Sequence, residues 1–445
     1  MKRKALLGFL LIFFFVSESF GSDIESKIKN LEEVLKTQQK MIEEQQKVIN
    51  GLKDELKTLK TQESSKTEKI TEKEKPAGVS GLFGGSALTN PNISVVVNTF
   101  GYTSNIKGNE LETRGMPGYS RLGIEKRKGF NLESAELFAF APVDPYFNLY
   151  VTVPITEEGA ELEEAYFVTT SLPHGLQLKG GKFKSGFGRL NAQHPHQWDF
   201  ADIALPYRAF LGDEGIIEKG VQLTYLPPLP FYTLFGIEAL QGDNEVLFGS
   251  DAKSGPQAYS AFIKASLDLE DNSTLLFGPS VITGKTKTDS IAENTEFRGD
   301  STLYGFELTY KWKPSKTRGL ILQSEYFLRH QKGNLEDTAL STIEPLKRNQ
   351  DGMYVQGIYQ LNRWRLGARY DILDLFKDDY RLNGVSQDFG KKPWRATGSL
   401  EFNPTEFSRI RLQYNHDRSR RDGKTNHEWL LQFVLGIGAH AAHPF

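Results

Sequence analysis

Over residues 429–441 every second position, beginning with Trp429, is apolar. Trp429, Leu431, Phe433, Leu435, Ile437, Ala439 and Ala441 fall on one face, and Gln432, Gly436, Gly438 and His440 on the other. Period-two alternation of this length predicts a strand with one apolar and one wet face. Crossing a bilayer takes roughly 9–11 strand residues, and this segment supplies them. An edge strand of a soluble sandwich would give the same alternation, so the rest of the chain must decide.

Several upstream segments repeat the pattern. Ile410, Leu412 and Tyr414 oppose Arg409, Arg411 and Gln413. Trp394, Ala396, Gly398, Leu400 and Phe402 oppose Arg395, Thr397, Ser399 and Glu401. Trp364, Leu366, Ala368 and Tyr370 oppose Arg365, Arg369 and Asp371, and Phe306, Leu308, Tyr310 and Trp312 oppose Glu307, Thr309 and Lys311. The segments around 132–140 and 163–168 lack clean alternation, and their faces stay unassigned. Tight Pro, Gly and Asn turns at 142–145, 173–175, 227–230, 270–273, 314–318, 361–363 and 403–405 alternate with polar stretches, mostly longer. Those stretches lie at 105–129, 156–160, 185–218, 241–256, 284–300, 331–351, 374–392 and 416–426. Seven turns and eight loops join sixteen strands with both ends on the short-turn side. Short turns on one side, long loops on the other and an even strand count are what a transmembrane barrel requires. Closure follows, because lipid cannot satisfy an open sheet edge.

The beginning of the chain is patterned differently. Lys2, Arg3 and Lys4 precede an apolar run at 5–16, and Ser19 and Gly21 are small residues placed for a cut before Ser22. That predicts an export signal over 1–21. Ile28, Leu35, Ile42, Ile49 and Leu56 then recur every seven residues, as do Leu31, Gln38, Gln45, Leu52 and Leu59. This heptad predicts an α-helical coiled coil over 22–61, on the order of 50 Å long; a solitary helix or a polar stalk is the alternative. Residues 62–90 are rich in Lys, Glu, Ser and Thr, then Gly, and read as a flexible linker. The expected fold is therefore all-β, a sixteen-stranded antiparallel transmembrane β-barrel over 91–445, preceded by the N-terminal coiled coil.

Composition changes this picture little. Mean hydropathy is −0.43, which a barrel tolerates because half of each strand faces water. Aromatic residues make up 12% of the chain, enough for interfacial girdles, and Trp312, Trp364, Trp394 and Trp429 sit near predicted strand ends. The net charge of −2 gives no reason to expect nucleic acid. Cysteine is absent, which excludes disulfides, thiolate metal sites and a lipoprotein anchor.

The apolar end at Ile437, Ala439, Ala441 and the terminal Phe445, with the strand count and loop order, resembles bacterial outer-membrane porins. The layout over 90–445 is nearest to the phosphate-selective porin O and P family, although His443 stands where an apolar residue is usual. The resemblance implies an outer-membrane channel for small hydrophilic or anionic solutes, assembly signalled by Phe445, and a homotrimer in membrane lipid. It also implies a third loop folded into the lumen as the constriction. Here that loop carries Arg189, His194, His196, Asp199, Asp202 and Arg208, along with Trp198, Asp213 and Glu214. Facing it by chain position is an expected basic wall of Arg363, Arg365, Arg369, Arg395, Arg409 and Arg411. Either these arginines form a selectivity filter, or they pair with lumenal acids to fill a polar interior. No phosphate motif, catalytic triad or nucleotide loop is present, and no cofactor is expected. His194-Pro195-His196 and the His440/His443 pair lack metal-ligand spacing, so no metal site is assigned to them. The alternatives are a substrate-specific uptake channel or receptor for phosphate or metal, or a cell-wall tether through the coiled coil.

The export signal has a direct check. Amino-terminal sequencing of the mature protein should begin near Ser22; a mature protein beginning at Met1 contradicts the assignment.

Overall fold

The computed structural model describes residues 91–120, 126–249 and 254–438. The signal, coiled-coil and linker segments, and Phe445 with His440 and His443, lie outside the described residues.

Among the described residues, one antiparallel sheet closes on itself. Its first half runs β1 (Asn92–Ser104), β2 (Gly129–Asp144), β3 (Phe147–Ile155), β4 (Glu164–Thr169), β5 (Leu176–Lys184), β6 (Ile217–Tyr225), β7 (Tyr232–Leu240) and β8 (Ala258–Glu270). Its second half runs β9 (Ser273–Thr288), β10 (Thr295–Ser315), β11 (Arg318–Asp337), β12 (Thr342–Leu361), β13 (Trp364–Leu382), β14 (Trp394–Thr405), β15 (Ser408–Asp417) and β16 (Asn426–Gly438). Each strand pairs with the next. β16 returns to β1, with Ser94 opposite Gly438 and Ser104 opposite Glu428. A two-residue strand, Val385–Ser386, folds back on the end of β13, so sixteen of the seventeen strands span the sheet. The barrel strands begin and end on the side of the short turns, as the alternation of turns and loops predicts.

The pleat sorts the side chains. On β16, Trp429, Leu431, Phe433, Leu435 and Ile437 are exposed on the outer face while Glu428, Leu430, Gln432 and Val434 are buried within. Leu366, Leu400 and Leu412 point outward, and Arg369, Arg395 and Arg411 inward. Trp312 and Trp364 lie toward the turn side, Trp394 and Trp429 toward the loop side, giving an aromatic residue at each edge of the apolar band. No helix among the described residues is long and apolar enough to cross a membrane; the crossing is made by strands.

Two strands explain why their faces could not be read. On β2, Phe130 and Leu132 face outward. The register against β1 then slips by one residue, with Asn98 opposite Ser134 and Thr99 opposite Leu132. This bulge leaves Glu133 unmatched and exchanges the faces, so that Leu137 is exposed and Glu136 buried beyond it. On the six-residue β4, the inward positions include Tyr166 and Val168, so both faces are partly apolar and no alternation survives.

Strand lengths also depart from expectation. The loops predicted at 284–300, 331–351 and 374–392 are partly strand. β10, β11 and β12 continue as a paired ladder well past what a bilayer needs, with Thr295 opposite Asp337 and Leu346 opposite Leu382. An apolar cluster of Ile291, Phe297, Leu335, Leu346 and Tyr380 fills this extension, and Arg348 lies over the rings of Phe297 and Tyr380. Burial of this cluster stabilises pairing beyond the membrane.

The outward assignment is testable at Leu412, which is 44% exposed on the outer face of β15. Leu412→Arg should cost roughly 2–4 kcal/mol in reversible urea unfolding from phospholipid vesicles. No measurable loss would mean that this face does not meet lipid.

Candidate functional site

Loop three, residues 185–216 between β5 and β6, folds into the lumen. It contains the short helical turns Leu190–Ala192 and Pro195–Gln197 and the helix α1 (Leu205–Leu211). Its apolar side chains Phe187, Leu190, Ile203, Tyr207, Phe210 and Leu211 are buried against inward residues of the wall, Phe183, Leu240, Leu303, Phe327, Tyr354 and Leu373. Polar bonds tie the same side. Glu325 of β11 accepts hydrogen bonds from the backbone N–H groups of Arg189 and Leu190 at 2.7 and 3.2 Å, and from the hydroxyls of Tyr207 and Tyr354 at 2.8 and 2.6 Å. Arg189 thus contributes mainly through its backbone.

The expected basic wall meets this loop directly. Asp199 pairs with Arg365 at 2.5 Å. Asp202 pairs with Arg369 at 2.7 Å and Arg395 at 3.0 Å, and accepts from the amides of Gln413 and Asn415 at 2.8 and 2.9 Å. Burial pushes the Asp202 carboxyl up, and Arg395 and Arg369 overcome it, holding the group well below the usual carboxylate range. The loop backbone is gripped as well. Arg411 donates to the Trp198 carbonyl at 2.7 Å, Arg409 to that of His196 at 2.9 Å, and Arg395 to that of Ile203 at 2.6 Å. Wall carboxylates balance the remaining charge. Glu401 pairs with Arg365, Arg409 and Arg411, and Asp371 with Arg369 and Arg395. The five arginines at 365, 369, 395, 409 and 411 form one patch on three adjacent strands, paired throughout with carboxylates. Arg363 does not join them; it is exposed in the turn between β12 and β13, where its carbonyl accepts from Asn403. Its parity with Arg365 put it on the expected basic wall, but it lies one residue before the strand begins.

Further round the barrel, past β16 and β1, His194 and His196 reach the wall of β2 and β4. His194 contacts Glu136, Glu163 and Glu164, and His196 contacts Glu136. Lys184 pairs with Glu163 at 2.7 Å. Burial lowers the His194 imidazole, but the three carboxylates raise it well above its ordinary value. Sequence reading missed Glu136, Glu163, Glu164 and Lys184. The available signal was an acidic residue inside an apolar run, Glu136 beside Leu137 and Phe138, but the bulge at Glu133 hid which way it pointed.

A cavity of about 750 Å³ remains in the lumen between loop three and the walls of β1–β5 and β14–β16. Arg208, bonded to Asp213 at 3.1 Å, Asp202, Glu214, Glu161, Glu163 and Glu428 are among its lining. Among the described residues lining it, eleven are acidic and six basic. The Glu214 carboxyl is raised by burial first, then by Glu161 and Glu163, against the opposing pull of Lys184 and Lys182.

Comparison with known proteins bears on this geometry. No family model matches the chain. An uncharacterized protein of Aquifex aeolicus (strain VF5) is 42% identical over 380 residues, covering 80% of each chain. The chain belongs to that protein's family. Among solved structures, it is similar to the outer membrane channel DcaP of Acinetobacter baumannii, with TM-score 0.51 and 16% identity over 80% of this chain and 100% of that one. It is also similar to the anion-selective porin from Comamonas acidovorans, with TM-score 0.48 and 9% identity over 78% of this chain and 100% of that one. The fold is that of outer-membrane porins, and the protein is an outer-membrane protein.

Proposed function

We propose that the barrel is a passive channel for small hydrophilic solutes, narrowed by loop three and weakly selective for cations. The observation that carries this reading is the closed sixteen-strand barrel with an ionised cavity of about 750 Å³ beside the inserted loop. Sixteen strands enclose enough space for an aqueous path, and the size and charge of the narrowest point set what passes.

The sequence-based expectation of anionic solutes relied on free arginines. Pairing with Asp199, Asp202, Asp371 and Glu401 offsets much of their field, while acids outnumber bases around the cavity, among them Glu133 and Glu158 and the looser pairs of Glu157 with Arg127 at 3.5 Å and Glu161 with Lys182 at 3.8 Å. Fixed charge on low-dielectric walls raises the local concentration of counter-ions, here cations. A homotrimer remains part of this proposal, supported by the heptad over 22–61. The coiled coil is equally suited to contact with the cell wall.

Reversal potential across a planar bilayer in a tenfold KCl gradient tests the reading. The wild-type channel should show a cation-selective sign, and Glu157→Gln with Glu158→Gln and Glu161→Gln should move the potential toward zero. Absence of conductance contradicts the channel, and an anion-selective sign contradicts the role assigned to the acids.

A further inference from the structure

The contacts between His194, His196 and the wall differ in geometry from the salt bridges around them. The turn Pro195–Gln197 presents both imidazoles on one side, nearly parallel at 16°, with centroids 5.8 Å apart. Nδ1 of His194 lies 3.4 Å from Oε2 of Glu136 and 3.2 Å from Oε2 of Glu163. Nδ1 of His196 lies 3.3 Å from the same Glu136 oxygen. On the far side of the His194 ring, Nε2 lies 3.0 Å from Oε2 of Glu164. None of these side chains is more than 13% exposed.

One N–H shared between two oxygens at 3.2 and 3.4 Å makes a three-centre bond, weaker than a linear one. A cation between the atoms serves both at full strength. The spacing fits a cation. Ligands about 2.0–2.1 Å from a tetrahedral metal are about 3.3–3.4 Å from one another, close to the 3.4 and 3.2 Å that separate His194 Nδ1 from Glu136 and Glu163. The outer contact fits as well. A metal-binding imidazole commonly donates its other N–H to a carboxylate, which fixes the tautomer and turns the bare nitrogen toward the metal; Glu164 stands in that position. Charge agrees. The Lys184 ammonium pairs with Glu163, and Glu164 accepts from the Lys184 backbone N–H, so with neutral imidazoles three carboxylates outnumber the ammonium beside them and a divalent cation offsets the excess.

We infer that Glu136, Glu163 and His194, with His196 beside Glu136, form a binding site for a divalent metal ion of the zinc class. The mixed imidazole and carboxylate set suits Zn²⁺ or a neighbouring transition metal over Ca²⁺ and Mg²⁺, which favour oxygen ligands. Glu136 and Glu163 line the lumenal cavity, so an ion in the channel reaches them. The bound metal joins loop three to β2 and to the start of β4. The site stands whichever solute the channel passes, and its test reads metal alone.

The full chain, folded in detergent and stripped with EDTA, is titrated with Zn²⁺ by calorimetry. One Zn²⁺ per barrel is expected, undisturbed by excess Mg²⁺. Glu164→Gln should weaken it about 10–100-fold, and the double variant His194→Ala, His196→Ala should abolish it. Heat-modifiable migration identifies variants that remain folded, and Glu163→Gln, with nearly unchanged shape, provides a second ligand variant that should lose affinity. With Co²⁺ in place of Zn²⁺, the intense visible absorption of a tetrahedral site is expected. Wild type without stoichiometric Zn²⁺ binding, binding retained by the folded double variant, or the weak spectrum of octahedral Co²⁺ would each overturn the site.

Discussion

Asp202 is where the interior of this barrel is organised. Its two carboxylate oxygens meet guanidinium groups from β13 and β14 and amides from β15. A carboxylate so largely withdrawn from water stays ionised only while its partners surround it. The arginines in turn cannot leave, because turning outward would place every outward apolar residue of their strands in the lumen. Alternation along the strands thus fixes the arginines, and the arginines fix the loop. Arg395, Arg409 and Arg411 then use their remaining N–H groups on loop carbonyls, so the backbone of loop three is held as well as its acids.

The loop spans two walls of opposite charge. Acids at 199 and 202 face the arginines of β13–β15, and histidines at 194 and 196 face the glutamates of β2 and β4. A third side is apolar, where Phe187, Tyr207 and Phe210 pack on Phe327 and Glu325 collects backbone and phenol donors. Each attachment is of a kind that the other walls could not supply. Loop three consequently has one seat in the lumen, and the cavity beside it takes its charge from groups that this pairing leaves over.

Much of this was legible from the chain. Alternation at Trp364–Tyr370, Trp394–Phe402 and 410–414 located lipid and lumen faces, and turn chemistry located the short connections, the last of them, read at 403–405, falling at 406–407. Legibility failed where physics breaks the period. The bulge at Glu133 reversed the faces of β2, the inward Tyr166 and Val168 erased them on β4, and the cluster around Phe297 carried strands into predicted loops. For the site, alternation told which way Arg369 and Arg395 point but not what they meet. Asp202 lies 167 and 193 residues away from them, and only closure of the sheet brings them together. His194 and Glu136 are likewise joined by topology, with no local spacing to announce them.

The central claim is that buried ion pairs hold loop three in a single position across the lumen. The chain has no cysteine, so spin labels can be placed uniquely at Ala192 in the loop and Glu406 in the turn between β14 and β15. Both positions are exposed. Pulsed electron resonance should give one narrow distance distribution for this pair in the folded barrel. The same pair with Asp202→Asn should give a broadened one. A broad distribution in the otherwise wild-type barrel, or a narrow one that Asp202→Asn leaves unchanged, would contradict the account.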